Sequence, residues 1–192
     1  MVNQGMYRRH AARMLVLVAA LGAAGCTGKS TPPAATPSVG ASSASPAPSV
    51  DPSTAAATQA AVAAYNGYIQ TFALAAQTAN ADDPSLARYL ADPLLSLTRH
   101  NLQTMKDRGE VQVGAQKATV TSTQVDLNAA QPVVTIHACL DYSALKLVYK
   151  SNHSPVPNSE IKTPRVSAIA TVWLYQSGQW LVNNTKQGND TC

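Results

Sequence analysis

The stretch Arg165-Val-Ser-Ala-Ile-Ala-Thr-Val-Trp173-Leu-Tyr175-Gln176, then Ser177-Gly178-Gln179, then Trp180-Leu-Val-Asn-Asn-Thr-Lys186, decides the fold. Its flanks are rich in Val, Ile, Thr, Trp and Tyr, which suit a pleated, half-buried surface, and the three residues between them include a glycine. The unit therefore reads as a β-hairpin. Immediately before it, residues 151–164 hold three prolines and little apolar content, the composition of a loop. Residues 133–142 alternate: Val134, Ile136, Ala138 and Leu140 share one face, and Thr135, His137, Cys139 and Asp141 share the other. Residues 145–149 continue that strand or begin another. Val111, Val113, Ala115, Thr119, Thr121, Thr123, Val125 and Leu127 all have one parity. Residues 110–128 thus read as one long strand, or as two joined by an irregularity near Gly114.

Upstream of the strands the period changes from two to about 3.6. Val62, Tyr65, Ile69, Phe72 and Ala76 form an apolar stripe that predicts a helix over 58–79, weakened at Gly67 by roughly 1 kcal/mol relative to alanine. Asp83-Pro84 and Asp92-Pro93 each supply a capping carboxylate and a first-turn proline. The first pair predicts a short helix carrying Leu86, Tyr89 and Leu90. The second predicts a helix carrying Leu94, Leu97, Leu102 and Met105 and stopped at Gly109. Helices followed by a strand meander argue α+β, with the helices covering one face of a curved antiparallel sheet.

The first 57 residues are of a different kind. Arg8, Arg9 and Arg13 precede an apolar run at 14–24, after which small residues lead to Gly25-Cys26. A run of 11 residues is shorter than the about 20 needed to span a bilayer, so residues 1–25 read as a cleaved export leader. Ala11-Ala12 stand where a twin-arginine signal carries bulky residues, which favours the general export route. The sequence Ala23-Ala24-Gly25-Cys26 resembles a bacterial lipobox, with Ala23 where the pattern usually has Leu. That resemblance implies acylation of Cys26 and a chain held on the outer face of the cell membrane. Residues 26–57, almost wholly Ser, Thr, Ala, Pro, Gly and Val, lack the large apolar side chains that offset the entropy of ordering. They read as a semi-stiff tether to a single domain at 58–192.

With Cys26 assigned to lipid, Cys139 and Cys192 are the remaining cysteines, and in an oxidising compartment a pair most simply forms a disulfide. Charge argues against a nucleic-acid partner. Ten Lys and Arg and nine Asp and Glu fall after residue 57, so the domain is nearly neutral and lacks the basic stripe that phosphates require.

The segment Val172-Trp173-Leu-Tyr175-Gln-Ser-Gly178-Gln-Trp180-Leu-Val182 looks like the last two strands of the nuclear-transport-factor-2-like cone fold. That superfamily includes SnoaL-like cyclases, ketosteroid isomerases and many non-catalytic domains. The run Cys139-Leu-Asp141-Tyr-Ser143, with a second cysteine at the C-terminus, is similar to small exported actinobacterial proteins of undefined activity. An enzyme of this kind needs an acid and a base in the pocket between helices and sheet. His137, Asp141 and Tyr142 are candidates, with His100 and Tyr65 available from helices. His137 and Asp141, however, lie on the less apolar face of their strand. Tyr65, Phe72, Trp173, Tyr175 and Trp180 are candidates to line a ligand pocket, although core packing competes as the reason for the last three. No metal-ligand spacing, phosphate loop or nucleophile elbow occurs, so no cofactor or metal is expected. The expectation is a membrane-anchored domain that binds a small apolar ligand or an envelope protein. The alternatives are a SnoaL-like isomerase or cyclase, and a structural accessory of an envelope assembly, which would expose an apolar patch.

Overall fold

The computed structural model describes residues 51–192, and within them the chain is α+β. Helix α1 spans Pro52–Thr78, a 3-10 turn Leu86–Arg88 follows, and helix α2 spans Leu94–Asp107. The strands are β1 (Glu110–Val113), β2 (Lys117–Asp126), β3 (Val133–Asp141), β4 (Lys146–Tyr149), β5 (Arg165–Leu174) and β6 (Trp180–Gln187). Four of them form an antiparallel sheet in the order β2-β3-β5-β6, and β1 pairs with β4 in a separate ribbon. No helix among the described residues is long and apolar enough to cross a membrane.

Helix α1 begins six residues earlier than the apolar stripe predicts, so the part of the expected tether from Pro52 onward is helical. The reason is a capping signal inside the low-complexity composition. The Asp51 carboxylate accepts from the amides of Ser53 (2.8 Å) and Thr54 (3.3 Å), and Pro52 occupies the first turn. At the two Asp-Pro pairs the expectation holds only in part. The cap positions are Ser85 and Pro93, neither with a capping side chain, and each proline precedes its helix. The first element is a 3-10 turn that stops short of Tyr89 and Leu90, while both carboxylates bond amides just downstream. Asp83 accepts from the Ser85 amide at 2.9 Å, and Asp92 accepts from the Ser96 amide at 3.1 Å. Gly109, at φ 67°, ends α2 as expected.

The long stretch 110–128 divides at Gly114, whose φ is 78°. A Cβ at Gly114 would lie 2.0 Å from the Ala144 carbonyl oxygen, so only glycine permits this crossing between the ribbon and the sheet. The single parity assigned to the stretch does not hold. Val120 pairs with Ala138 and Ser122 with His137, which leaves Thr121 as an extra residue. This bulge moves the inner face from Ala118 and Val120 to Val125 and Leu127, while Thr119 and Thr121 are exposed. Strand β3 keeps the predicted faces: Val134, Ile136, Ala138 and Leu140 are buried beneath the helices.

A second bulge leaves Asn183 unpaired between Val182 and Asn184. Its buried side-chain amide donates to the Asp92 carbonyl and, at 3.3 Å, to the Tyr175 hydroxyl. Beside it the Ala91 amide donates to Val182 (3.0 Å) and the Val182 amide to Tyr89 (2.8 Å). These bonds dock the segment leading into α2 on the edge strand β6, which leaves less of that edge open to another chain.

Cys139, on the outer face of β3, is bonded to Cys192. The tail reaches it along β5, where Ser167 donates its amide to the Asp190 carbonyl at 2.9 Å. Closing a 53-residue separation is worth about 4 kcal/mol in the chain-entropy account. Cys192→Ser is therefore expected to lower the unfolding free energy by roughly 2–4 kcal/mol. Urea titration with and without reductant measures this. A midpoint unmoved by either change would contradict it.

Candidate functional site

Helix α1 carries two kinds of side chain on its inner surface. Ala57, Ala61, Ala64, Ala75 and Ala76 are buried in the main core and allow close approach. Between them Tyr65, Tyr68, Ile69 and Phe72 project into a cavity of about 500 Å³. The opposite wall comes from Leu140 of β3, Val166 and Ala168 of β5, and Thr185 and Gln187 of β6. Helix α2 contributes Leu94, Leu97, Thr98 and Asn101; Gln112 of β1, together with Gln116, adds two amides. Tyr142, Leu145, Ile161 and Thr163 complete the lining. Leu97 and Ile161 are 54% and 38% exposed, which gives the cavity an apolar rim.

Among the described residues, no Asp, Glu, His, Lys or Arg lines this cavity. Its polar groups are phenols, hydroxyls and amides. Tyr65 and Tyr68 have ring centroids 6.3 Å apart, as do Tyr68 and Phe72, both pairs tilted. Burial pushes the Tyr142 phenol up to about 12; Tyr68 adds to the shift, and the bond from the Gln187 amide opposes it. Burial, then the neighbouring Tyr68 and Tyr142, drives the Tyr65 phenol still further up. Burial likewise raises Tyr68, against a hydrogen bond with Thr185. At neutral pH all three are uncharged hydrogen-bonding groups. The Gln112 side-chain Nε2 is buried and has no hydrogen-bond partner among the described residues.

The structure brings together only some of the residues singled out in the sequence. Tyr65, Phe72 and Tyr142 line the cavity. Tyr142 follows the parity of Leu140, so it faces inward, away from its expected companions. His137 and Asp141 stand on the outer face of β3, and the Asp141 carboxylate accepts from the Ser143 amide (2.9 Å) and hydroxyl (2.6 Å). Those bonds hold the Asp141 carboxyl below its usual range.

Trp173, Tyr175 and Trp180 are not among the lining residues. The inner positions of β5 are Val166, Ala168, Ala170 and Val172, so Trp173 falls on the opposite parity and is half-buried outside. Tyr175 is taken up by Asn183, and Trp180 packs partly buried against the main core. Cys26 and its leader lie outside the described residues. Among the described residues, no three His, Cys, Asp or Glu side chains gather as metal ligands do.

The sequence reading did not single out Tyr68, Gln112 or Gln187. A signal existed for Tyr68, three residues from Tyr65 and four from Phe72 on the same helix face. None existed for Gln112, which alternates with Val111 and Val113 and so reads as solvent-facing.

The raised phenols give a signed pH dependence. An unfolded tyrosine ionises near pH 10, about two units below Tyr142 in the fold. The stability they contribute is complete below about pH 10 and is lost as pH rises from there through about 12. Urea midpoints taken across that range should fall, and should fall less steeply in Tyr65→Phe and Tyr142→Phe. A native chain whose tyrosines all titrate near 10 by ultraviolet absorbance would contradict the burial argument.

No family model matches the sequence, and no curated protein matches it. Among solved structures, the intermembrane space region of the chloroplast protein ARC6 is similar in fold. It is 14% identical, covers 73% of this chain and 98% of its own, and has a TM-score of 0.44. A ketosteroid isomerase-like protein from Erwinia carotovora atroseptica SCRI1043 is 11% identical, with 69% and 96% covered and a TM-score of 0.41. A de novo designed β-sheet protein overlaps less well, at a TM-score of 0.28.

Proposed function

We propose that this chain is an extracytoplasmic lipoprotein whose α+β domain, cone-shaped in the manner of the nuclear-transport-factor-2-like fold, binds an uncharged, largely apolar small molecule between its helices and its sheet. One observation carries the binding reading: a cavity of about 500 Å³ lined, among the described residues, by apolar and neutral polar side chains and by no ionisable group other than its three tyrosines. That volume lies in the range of small-molecule sites. Drawing a charged ligand out of water without an opposite charge to meet it is strongly unfavourable, so the lining selects neutral molecules.

An isomerase or cyclase of the kind weighed above sets an Asp together with a His or Tyr beside the substrate. The strongest candidates for that role, His137 and Asp141, face the other way. The anchor is supported by the leader and by Cys26 in its lipobox context. The Cys139–Cys192 bond suits an oxidising compartment. An exposed domain on a tether, open at an apolar rim, is suited to taking up a poorly soluble molecule near a membrane.

Ala168, 5% exposed and on the cavity wall, is the position for a blocking substitution. The neutral fluorophore N-phenyl-1-naphthylamine should brighten with the unsubstituted chain. Ala168→Phe should weaken its binding at least about tenfold while the far-ultraviolet dichroism is kept, since overpacking one position destabilises a fold by only about 1–3 kcal/mol. Equal binding by both chains would sink the cavity reading. In the source cell, Cys26→Ser should move the protein from the membrane fraction to the soluble one; an unchanged distribution would remove the anchor.

A further inference from the structure

The two edges of the four-stranded sheet are treated differently. Edge strand β6 is covered by the segment at Tyr89 and Ala91, which bonds Val182. Edge strand β2 runs 10 residues, and among the described residues no backbone group of another element bonds its free side. At about 3.3 Å per residue that is an open edge of roughly 33 Å. Sheet edges are usually blunted by short length, proline or a central lysine, because an open one invites another strand. Strand β2 has no proline, and its only charged residues stand at its two ends, Lys117 and Asp126.

That placement of charge is self-complementary. When the strand meets a second copy of itself running the other way, Lys117 of each copy can stand opposite Asp126 of the other. Antiparallel pairing also demands that opposed residues share a face, and in a regular strand positions 117 and 126 have opposite parity. A bulge often turns an edge away from neighbours, but here the bulge at Thr121 removes this conflict. It shifts the second half of β2 by one residue, so Ala118, Val120, Thr123 and Val125 are half-buried on the inner side. Lys117, Thr119, Gln124 and Asp126 are exposed. The register that pairs Lys117 with Asp126 then sets Thr119 opposite Gln124 outside, and Ala118 opposite Val125 and Val120 opposite Thr123 inside. Thr121 and Ser122 meet their counterparts at the twofold axis.

We infer that β2 is a dimer interface, at which two copies of this chain join their sheets edge to edge through an antiparallel β2–β2 pair centred between Thr121 and Ser122. The backbone ladder supplies the affinity, and the two Lys117–Asp126 contacts fix the register. The Asp126 Oδ1 accepts from the Asn128 and Ala129 amides, both at 3.0 Å, which holds the carboxylate in place and leaves Oδ2 for the lysine. On the inner side, Val125 and Thr123 form an open groove with Ala55, Thr58 and Val62 of α1. Ala118 and Val120 of the second copy come to the border of that groove and shield it from water. The pairing uses β2 of both copies at once, so it closes at two. The inference is independent of the cavity and its ligand.

Sedimentation velocity of the full chain in a neutral detergent reads the assembly. The unsubstituted chain should be a dimer. Lys117→Asp alone and Asp126→Lys alone each set like charges against one another at both contacts, and each should raise the dimer dissociation constant at least about tenfold. An equimolar mixture of the two single variants should recover the dimer, since every contact in the mixed pair is again between opposite charges. Recovery on mixing is a result that a general loss of stability does not give. Lys117 also lies opposite Asp141 within the sheet, so far-ultraviolet dichroism checks that each variant is folded.

A monomeric unsubstituted chain, or an open-ended series of larger species, would overturn the inference. So would single variants that dimerise as well as the unsubstituted chain, which would place the contact elsewhere, or two folded variants that stay apart on mixing. Should Asp126→Lys fail to fold, Lys117→Asp alone decides: a folded monomer supports the β2 pair and an undiminished dimer contradicts it.

Discussion

The packing of α1 against the inner face of the sheet is the constraint on which the rest of the structure depends. Its alanines at 57, 61, 64, 75 and 76 bring the helix backbone close to the strands, and its aromatic residues at 65, 68 and 72 hold the space between. Alanine is both the best helix former and the smallest side chain that excludes water, so one composition serves helix stability and close approach together. Gly67 belongs to the same design. A Cβ there would lie 2.3 Å from the Tyr89 ring, so the glycine that weakens the helix in isolation makes room for the segment docked on β6. Were α1 displaced, the core beneath it and the cavity would be lost at once.

Much of this was legible in the sequence because it depends on local signals. The closing hairpin, the inner face of β3, the break at Gly114 and the stop of α2 at Gly109 each follow from residues within a few positions of one another. What escaped depends on contacts across the sheet. The bulge at Thr121 inverts the parity of β2, and its cause lies in the register against Ala138 and His137. The start of α1 at Pro52 was hidden because Asp51 caps a helix whose first turns are Ser, Thr and Ala, the same composition as the sequence before it.

The candidate site shows the same division. Tyr65 and Phe72 could be named from helical periodicity. The tryptophans drew attention by size, yet Trp173 lies on the outer parity of a strand whose inner residues are small. Gln112 could not be found from its neighbours, because its burial is set by a ribbon that pairs residues 110–113 with residues 146–149. A polar residue between two valines looks solvent-facing until the element covering it is known.

The central claim is that an uncharged apolar molecule enters between α1, α2 and the sheet. Methyl-resolved nuclear magnetic resonance of the chain titrated with N-phenyl-1-naphthylamine tests it most directly. The account predicts intermolecular nuclear Overhauser effects to Ile69, Leu94, Leu140 and Val166, with the methyl groups of Val133 and Ile169 unmoved. Effects confined to the outer face of β3 and β5, or no saturable shift at any methyl group, would contradict it.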